Sequence, residues 1–270
     1  MRRLLTRRSV GAWALAVGLP TLAAPRAFAA AEPDDPKRAQ RWRELREDLF
    51  DNRPATAADW IRIEAPARAA DAALVPMTLH LARRDGVKAV HLVIDENPAP
   101  YAAKIAFGPA GDPRSFKLRV RVNDYTHVHA VAEMDDGRLY QTSTFVKAAG
   151  GCSAPAGASE LEALRGAGQM RMRFARVPEG AEATLMLRHP NFSGMQMDQV
   201  TRLYTPARYV KQVKVTQGDR LVFDLAGDIS ISTDPVFGFL YDAAPASGLD
   251  VVAVDSTDAR WSQSFNAAAA

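Results

Sequence analysis

Residues 116–122 read Phe-Lys-Leu-Arg-Val-Arg-Val, so that apolar and basic side chains alternate along the whole stretch. Successive side chains of a β-strand point to opposite faces, and this period of two therefore indicates a strand with one face in a core. The same kind of pattern recurs through the first half of the chain. It predicts further strands at residues 60–64, 74–81, 88–94, 128–134 and 138–146, the last two flanking a hairpin turn at Asp135-Asp136-Gly137.

The second half repeats this pattern and the N-terminal region departs from it. Strands are predicted at residues 170–174, 183–187, 209–215, 221–225, 229–241 and 251–254. Before the first strand, Asp35 and Pro36 are typical of a helix start, and Trp42, Leu45 and Leu49 recur at helical spacing. We therefore predict two antiparallel β-sandwiches, a helix over residues 36–50 that packs on a sheet, and a short helical turn from a Ser159–Glu162 capping box to Leu164.

The first 29 residues have the features of an export signal. A basic region is followed by an apolar stretch of 14 residues from Gly11 to Ala24, which is too short to span a bilayer, and then by Ala27-Phe28-Ala29, which fits a cleavage site. The segment Thr6-Arg7-Arg8-Ser9-Val10 resembles a twin-arginine (Tat) signal. We expect a periplasmic protein, with no membrane span after signal cleavage.

The charge of the chain argues against nucleic acid as a partner. The formal net charge is +3, but residues 1–29 contain five arginines and no acidic residue, so the remainder carries −2. Nucleic-acid binding normally requires a concentrated basic surface.

Cys152 is the single cysteine of the chain, and it lies between the two predicted sandwiches. Gly150 and Gly151 precede it, and Ser153 and Pro155 follow, so we expect an exposed, mobile loop with the two glycines and Ser153 as its flexible arm. The alternative is a small apolar side chain within a linker. In an oxidising compartment a lone cysteine must pair with another chain, carry a group or stay a free thiol.

Several segments resemble a known pair of proteins. Residues 146–152, Val-Lys-Ala-Ala-Gly-Gly-Cys, resemble the run into the Gly-Gly-Cys carrier arm of SoxY, and residues 189–194, 205–210 and 231–235 resemble SoxZ. SoxY and SoxZ form the immunoglobulin-like SoxYZ heterodimer, in which the SoxY cysteine carries sulfur intermediates. Here the halves are fused and Ser153 replaces a glycine, two features that match a fused SoxYZ-like family associated with quinoprotein (PQQ) dehydrogenases.

The resemblance implies an all-β fold of two immunoglobulin-like sandwiches in tandem with one N-terminal helix. The implied domains are a SoxY-like sandwich at residues 30–149, a carrier loop and linker at 150–168, and a SoxZ-like sandwich at 169–270. The implied function is a non-catalytic carrier that holds a sulfur-type intermediate on Cys152. Its partners would be periplasmic redox enzymes, of the Sox type or quinoprotein dehydrogenases, and cytochromes, and no cofactor is expected.

Other polar residues leave alternatives open. His189 and Asn191 are candidates for a partner interface, although His189 also fits a structural role. His127 and His129 share a strand face and would be the start of a metal site, but no third ligand is evident. Lys147 would help to ionise the thiol, or else be a solvated charge at a strand end. Two further hypotheses therefore remain: a module that docks on a dehydrogenase with Cys152 incidental, and a metal-dependent enzyme built around His127 and His129.

Overall fold

The computed structural model describes residues 35–155, 160–198, 201–243 and 248–266. The predicted signal peptide and Ser159 lie outside the described residues. Helix α1 spans Pro36–Phe50 as predicted, and the Asp35 side chain caps it by accepting a hydrogen bond of 2.9 Å from the Lys37 N–H. Helix α2 spans Glu160–Leu164. Within these ranges no helix is long and apolar enough to cross a membrane.

Strands make up most of the described chain, which confirms the predicted all-β class. The first half contains β1 Ala55–Ala57, β2 Ile61–Glu64, β3 Val75–Leu81, β4 Val87–Ile94, β5 Tyr101–Phe107, β6 Gly111–Val120, β7 Thr126–Met134 and β8 Leu139–Val146. The second half contains β9 Met170–Val177, β10 Gly180–Leu187, β11 Val210–Gln217, β12 Arg220–Gly227, β13 Val236–Tyr241, β14 Leu249–Asp255 and β15 Arg260–Phe265.

Both sheets run through both halves of the chain. One sheet has the order β1-β8-β7-β4-β5-β12-β11-β14-β15 and the other β2-β3-β6-β13-β10-β9. The halves join where β5 pairs with β12 in the first sheet and where β6 pairs with β13 in the second, both antiparallel. The predicted tandem sandwiches are therefore present, and they are joined by strand pairing as well as by an apolar interface.

The core is one apolar cluster that extends across this junction. Phe116 of β6 lies edge-on to Phe223 of β12, with ring centroids 5.2 Å apart, and 6.3 Å from the ring of Phe237 on β13. All three rings are almost completely buried. Because burial of an aromatic side chain contributes about 1.5–3 kcal/mol, this shared core holds the halves in one fixed arrangement.

Helix α1 covers the outer face of the larger sheet. Leu45 and Phe50 are buried against Val93, Val131 and Leu139, with Trp42 and Leu49 packed beside them. The prediction that these apolar residues pack helix α1 on a sheet is therefore confirmed. One strand pair differs from the predicted antiparallel pattern, because β1 pairs with β8 in parallel.

Candidate carrier site

The thiol loop, defined here as residues 150–155, leaves the end of β8 and turns back onto the sandwich. The Gly150 N–H donates to the Asn123 carbonyl oxygen at 2.8 Å and the Gly151 N–H donates to that of Val122 at 3.1 Å. The Cys152 side chain has an exposed fraction of 0%. The prediction that Cys152 lies on an exposed loop is therefore wrong for this conformation, because the loop is held against the fold.

The glycines explain how the loop comes so close. A Cβ atom placed on Gly151 would lie 2.1 Å from the Ala72 carbonyl oxygen and 2.6 Å from that of Val122, both backbone atoms that cannot turn aside. Gly150 has a φ of +77°, in the left-handed region that favours glycine. The two glycines therefore permit tight docking, where the sequence suggested only mobility.

Side chains from both halves hold the carbonyl groups of the thiol loop. Arg121 Nη1 donates to the Gly151 oxygen at 3.3 Å, the Ser193 hydroxyl donates to the Cys152 oxygen, and Gln196 Nε2 donates to the Ala154 oxygen at 3.2 Å. A neutral hydrogen bond contributes about 0.5–1.5 kcal/mol and one from a charged group about 1.5–3 kcal/mol, so these three contacts stabilise the docked position of the loop.

Arg121 connects this loop to the SoxZ-like half. It follows β6 directly, is 1% exposed, and donates through Nη2 to the Asn191 oxygen at 2.9 Å and to Thr233 Oγ1 at 2.8 Å. A buried guanidinium needs acceptors for its N–H groups, and backbone and hydroxyl oxygens supply them here for Nη1 and Nη2, whereas the buried Nε has no acceptor.

His189 and Asn191 lie behind the loop, and both have an exposed fraction of 0%. His189 Nδ1 and Asn191 Oδ1 are 2.6 Å apart, and Asn191 Oδ1 also accepts from the Val210 N–H at 3.0 Å. The prediction that these residues form a partner interface is wrong for this conformation, because neither has surface to offer. Instead they fix the backbone between His189 and Ser193 that contacts the thiol loop.

Burial controls the chemistry of the thiol. Loss of solvent raises the pKa of Cys152 to about 11, and the Arg121 guanidinium opposes this rise only in part. Lys147, proposed from the sequence as an activating cation, has its ammonium 6.0 Å from the centre of the Phe145 ring. While the loop is docked, Cys152 is therefore a protonated and unreactive thiol at neutral pH.

The predicted metal alternative has no support among the described residues, which contain no group of three or more His, Cys, Asp or Glu side chains able to hold an ion. His129 Nε2 lies 3.1 Å from Asp95 Oδ2, and its ring stacks on Trp42 with centroids 3.7 Å apart. His127 packs edge-on to Phe145 at 5.0 Å. The two histidines therefore contribute to the packing under and beside helix α1.

Comparison with protein families accounts for this arrangement. Residues 46–152 match the model of the sulfur oxidation protein SoxY, and residues 170–266 match that of the sulphur oxidation protein SoxZ. Together the two matches cover about three quarters of the chain, and the first ends on Cys152 itself. The chain belongs to the fused SoxYZ-like sulfur carriers. It is accordingly a carrier of sulfur oxidation and not an enzyme.

Among solved structures, the sulfur carrier protein SoxY from Chlorobium limicola f thiosulfatophilum is similar to part of the chain. The identity is 24% and the TM-score 0.35, over 41% of this chain and 94% of that one. None of the curated proteins matches the chain. The two family matches place a SoxY domain and a SoxZ domain in one polypeptide, with Cys152 as the last residue of the SoxY match.

Proposed function

We propose that the SoxYZ-like chain acts in the periplasm, where it carries a sulfur-type intermediate covalently on Cys152 and presents it to partner redox enzymes. The observation that carries the proposal is the position of Cys152, at the end of the SoxY match and on a glycine-flanked loop held by hydrogen bonds. The partners proposed are Sox-type enzymes or a quinoprotein dehydrogenase, with cytochromes accepting electrons.

Loading requires the loop to leave its docked position. A free cysteine has a pKa of about 8.5, against about 11 for docked Cys152. Release therefore increases the ionised fraction at neutral pH by roughly 300-fold. The thiolate can then attack a sulfur atom of a disulfide-type donor, forming a new S–S bond while the electron pair of the broken bond leaves on a second thiolate.

The burial of Cys152 also favours a second candidate, in which the chain is a docking module and the thiol is only structural. An intact mass measurement on protein isolated from its native periplasm separates the two. Carrier function predicts an added mass that is absent from the Cys152→Ser variant and retained in the Ser264→Ala control, whose hydroxyl lies on the distant strand β15. An unmodified thiol, together with undiminished partner binding by Cys152→Ala, would establish the docking module instead.

The periplasmic location rests on the N-terminal sequence. Replacing Arg7 and Arg8 with lysine is expected to leave unprocessed precursor in the cytoplasm, because Tat recognition depends on the arginine pair. Cell fractionation and immunoblotting would measure this, with Arg2 and Arg3 replaced as the matched control. Normal export of the Arg7→Lys/Arg8→Lys variant would rule out the Tat route while leaving another secretory signal.

A further inference from the structure

A second feature of the SoxYZ-like chain lies on the outer face of the smaller sheet, and the thiol itself does not line it. It is a cleft of about 400 Å³, called here the arginine cleft. Three arginines line it, Arg119 from β6, Arg171 from β9 and Arg188 just after β10, and its other lining residues are Gln169, Met186, Leu187, Asp234 and Val236. The cleft therefore combines cationic groups with apolar side chains.

The positive charge of this cleft is not neutralised by the fold. Arg171 and Arg188 are exposed and form no ion pair within the described residues. By contrast, Lys117 on the same face of β6 is paired with Glu182 at 2.5 Å. The one acid in the cleft is Asp234, whose Oδ1 accepts from the His189 N–H at 3.0 Å. Three cations and one carboxylate leave an excess of positive charge facing solvent.

Arg119 is held in a fixed position with donor capacity to spare. Its Nη2 donates to the Asp234 carbonyl oxygen at 2.7 Å, which orients the guanidinium, while its buried Nε–H has no acceptor. A guanidinium presents five N–H donors in a planar fork that matches the oxygens of a tetrahedral anion. A pre-positioned arginine with unused donors, flanked by two unpaired ones, is an arrangement suited to an oxyanion.

The arginine cleft adjoins the residues that hold the thiol loop. The Asp234 N–H donates to the His189 oxygen at 2.8 Å, and its neighbour Thr233 accepts from Arg121. Arg119 and Arg121 are separated by a single residue. An anion in the cleft would therefore lie next to the segment on which the thiol loop docks.

We propose that the arginine cleft binds a small sulfur oxyanion. The choice of a sulfur anion rests on the proposed function, whereas the anion chemistry rests on the three arginines. Met186 and Val236 line the cleft with apolar surface, and this favours an anion with a soft, weakly hydrated sulfur atom over one surrounded by oxygens. Thiosulfate therefore binds more tightly than sulfate.

The test is a calorimetric titration of the full mature chain with thiosulfate or sulfate, at an ionic strength held constant with potassium chloride. Thiosulfate is expected to bind saturably at one site. Arg171→Gln and Arg188→Gln should each weaken binding by about tenfold, because each removes a charge-assisted hydrogen bond. Arg173→Gln is the matched control, since Arg173 lies on the same face of β9 outside the cleft and should bind as the wild type does.

Heat changes no different from those with chloride, or unweakened binding by the Arg171→Gln/Arg188→Gln double variant, would overturn the proposal. Both replaced residues are exposed, so folding of the variants is checked by their thermal unfolding curves. Cys152→Ser separates this site from the carrier function. The Cys152→Ser variant should bind thiosulfate as the wild type does. The two proposals can therefore be contradicted separately, because absence of thiosulfate binding leaves a Cys152 adduct unaffected, and absence of an adduct leaves binding in the cleft unaffected.

Discussion

Replacing Gly151 with alanine is expected to accelerate the labelling of Cys152 by a soluble thiol reagent by roughly 100-fold at neutral pH. In the docked loop an alanine Cβ would meet the backbone oxygens of Ala72 and Val122 at 2.1 and 2.6 Å. Overpacking costs about 1–3 kcal/mol, and rigid backbone neighbours place this case at the upper end. The released loop has no such contact, so the variant shifts the equilibrium towards release.

The measurement is the pseudo-first-order labelling rate of native, reduced protein. Gly137→Ala serves as the control, because Gly137 has nothing within 4 Å of an added Cβ and lies in the β7–β8 hairpin, at the other end of β8 from the thiol loop. Its φ of +81° makes an alanine strained there, so this control also tests whether backbone strain elsewhere changes the labelling rate. That control should label at the wild-type rate. If Gly151→Ala also labelled at that rate, docking of Gly151 would not limit access to the thiol.

The elements of this fold were predictable where local pattern decides them. Helix α1 and the strands with strict alternation, such as β3, were found close to the predicted bounds, because burial of one face dictates such patterns. Strands β1, β5 and β15 were missed. β15 lies at the edge of the larger sheet with mostly exposed polar side chains, so no apolar alternation marks it.

The candidate site was predictable in its central residue and not in its surroundings. Cys152 and its glycines stand out in the sequence, but docking depends on contacts between residues far apart along the chain. Arg121 looks like one more basic residue of an alternating strand, and nothing local shows that it is buried and bonded to Asn191 and Thr233. Ser193 lay within a segment that resembles SoxZ, which was the one available signal for its role.

These contacts show how the SoxZ-like half affects the thiol of the SoxY-like half. The loop leaves the SoxY-like half, yet Ser193 and Gln196 of the SoxZ-like half donate hydrogen bonds to its carbonyl oxygens. Arg121 donates both to the loop and to Asn191 of the SoxZ-like half. The SoxZ-like half therefore protects the thiol from oxidation while it is docked, since an un-ionised, buried thiol is inert.

The labelling rate of Cys152 is expected to keep rising with pH where that of a free cysteine levels off. Burial raises the pKa of docked Cys152 to about 11, against about 8.5 for an unfolded or released cysteine. The docked state therefore retains its proton between these two values while the released state loses it. Docking is fully stable below pH 8.5 and weakens by about 1.4 kcal/mol for each pH unit above it, until the docked thiol itself ionises.

This difference in pKa between docked and released Cys152 determines how the labelling rate depends on pH. From pH 8.5 to pH 10 a peptide cysteine gains only about twofold in thiolate, whereas the released, ionised fraction of the native protein gains roughly 30-fold. Parallel labelling of the native chain and of a peptide with the sequence of residues 146–155 measures both curves, and circular dichroism verifies that the fold persists at pH 10. Because Gly151→Ala favours the released loop, its profile should level off at a lower pH than that of the native chain. A native profile that also levelled off near pH 8.5 would mean that the thiol is already released in solution.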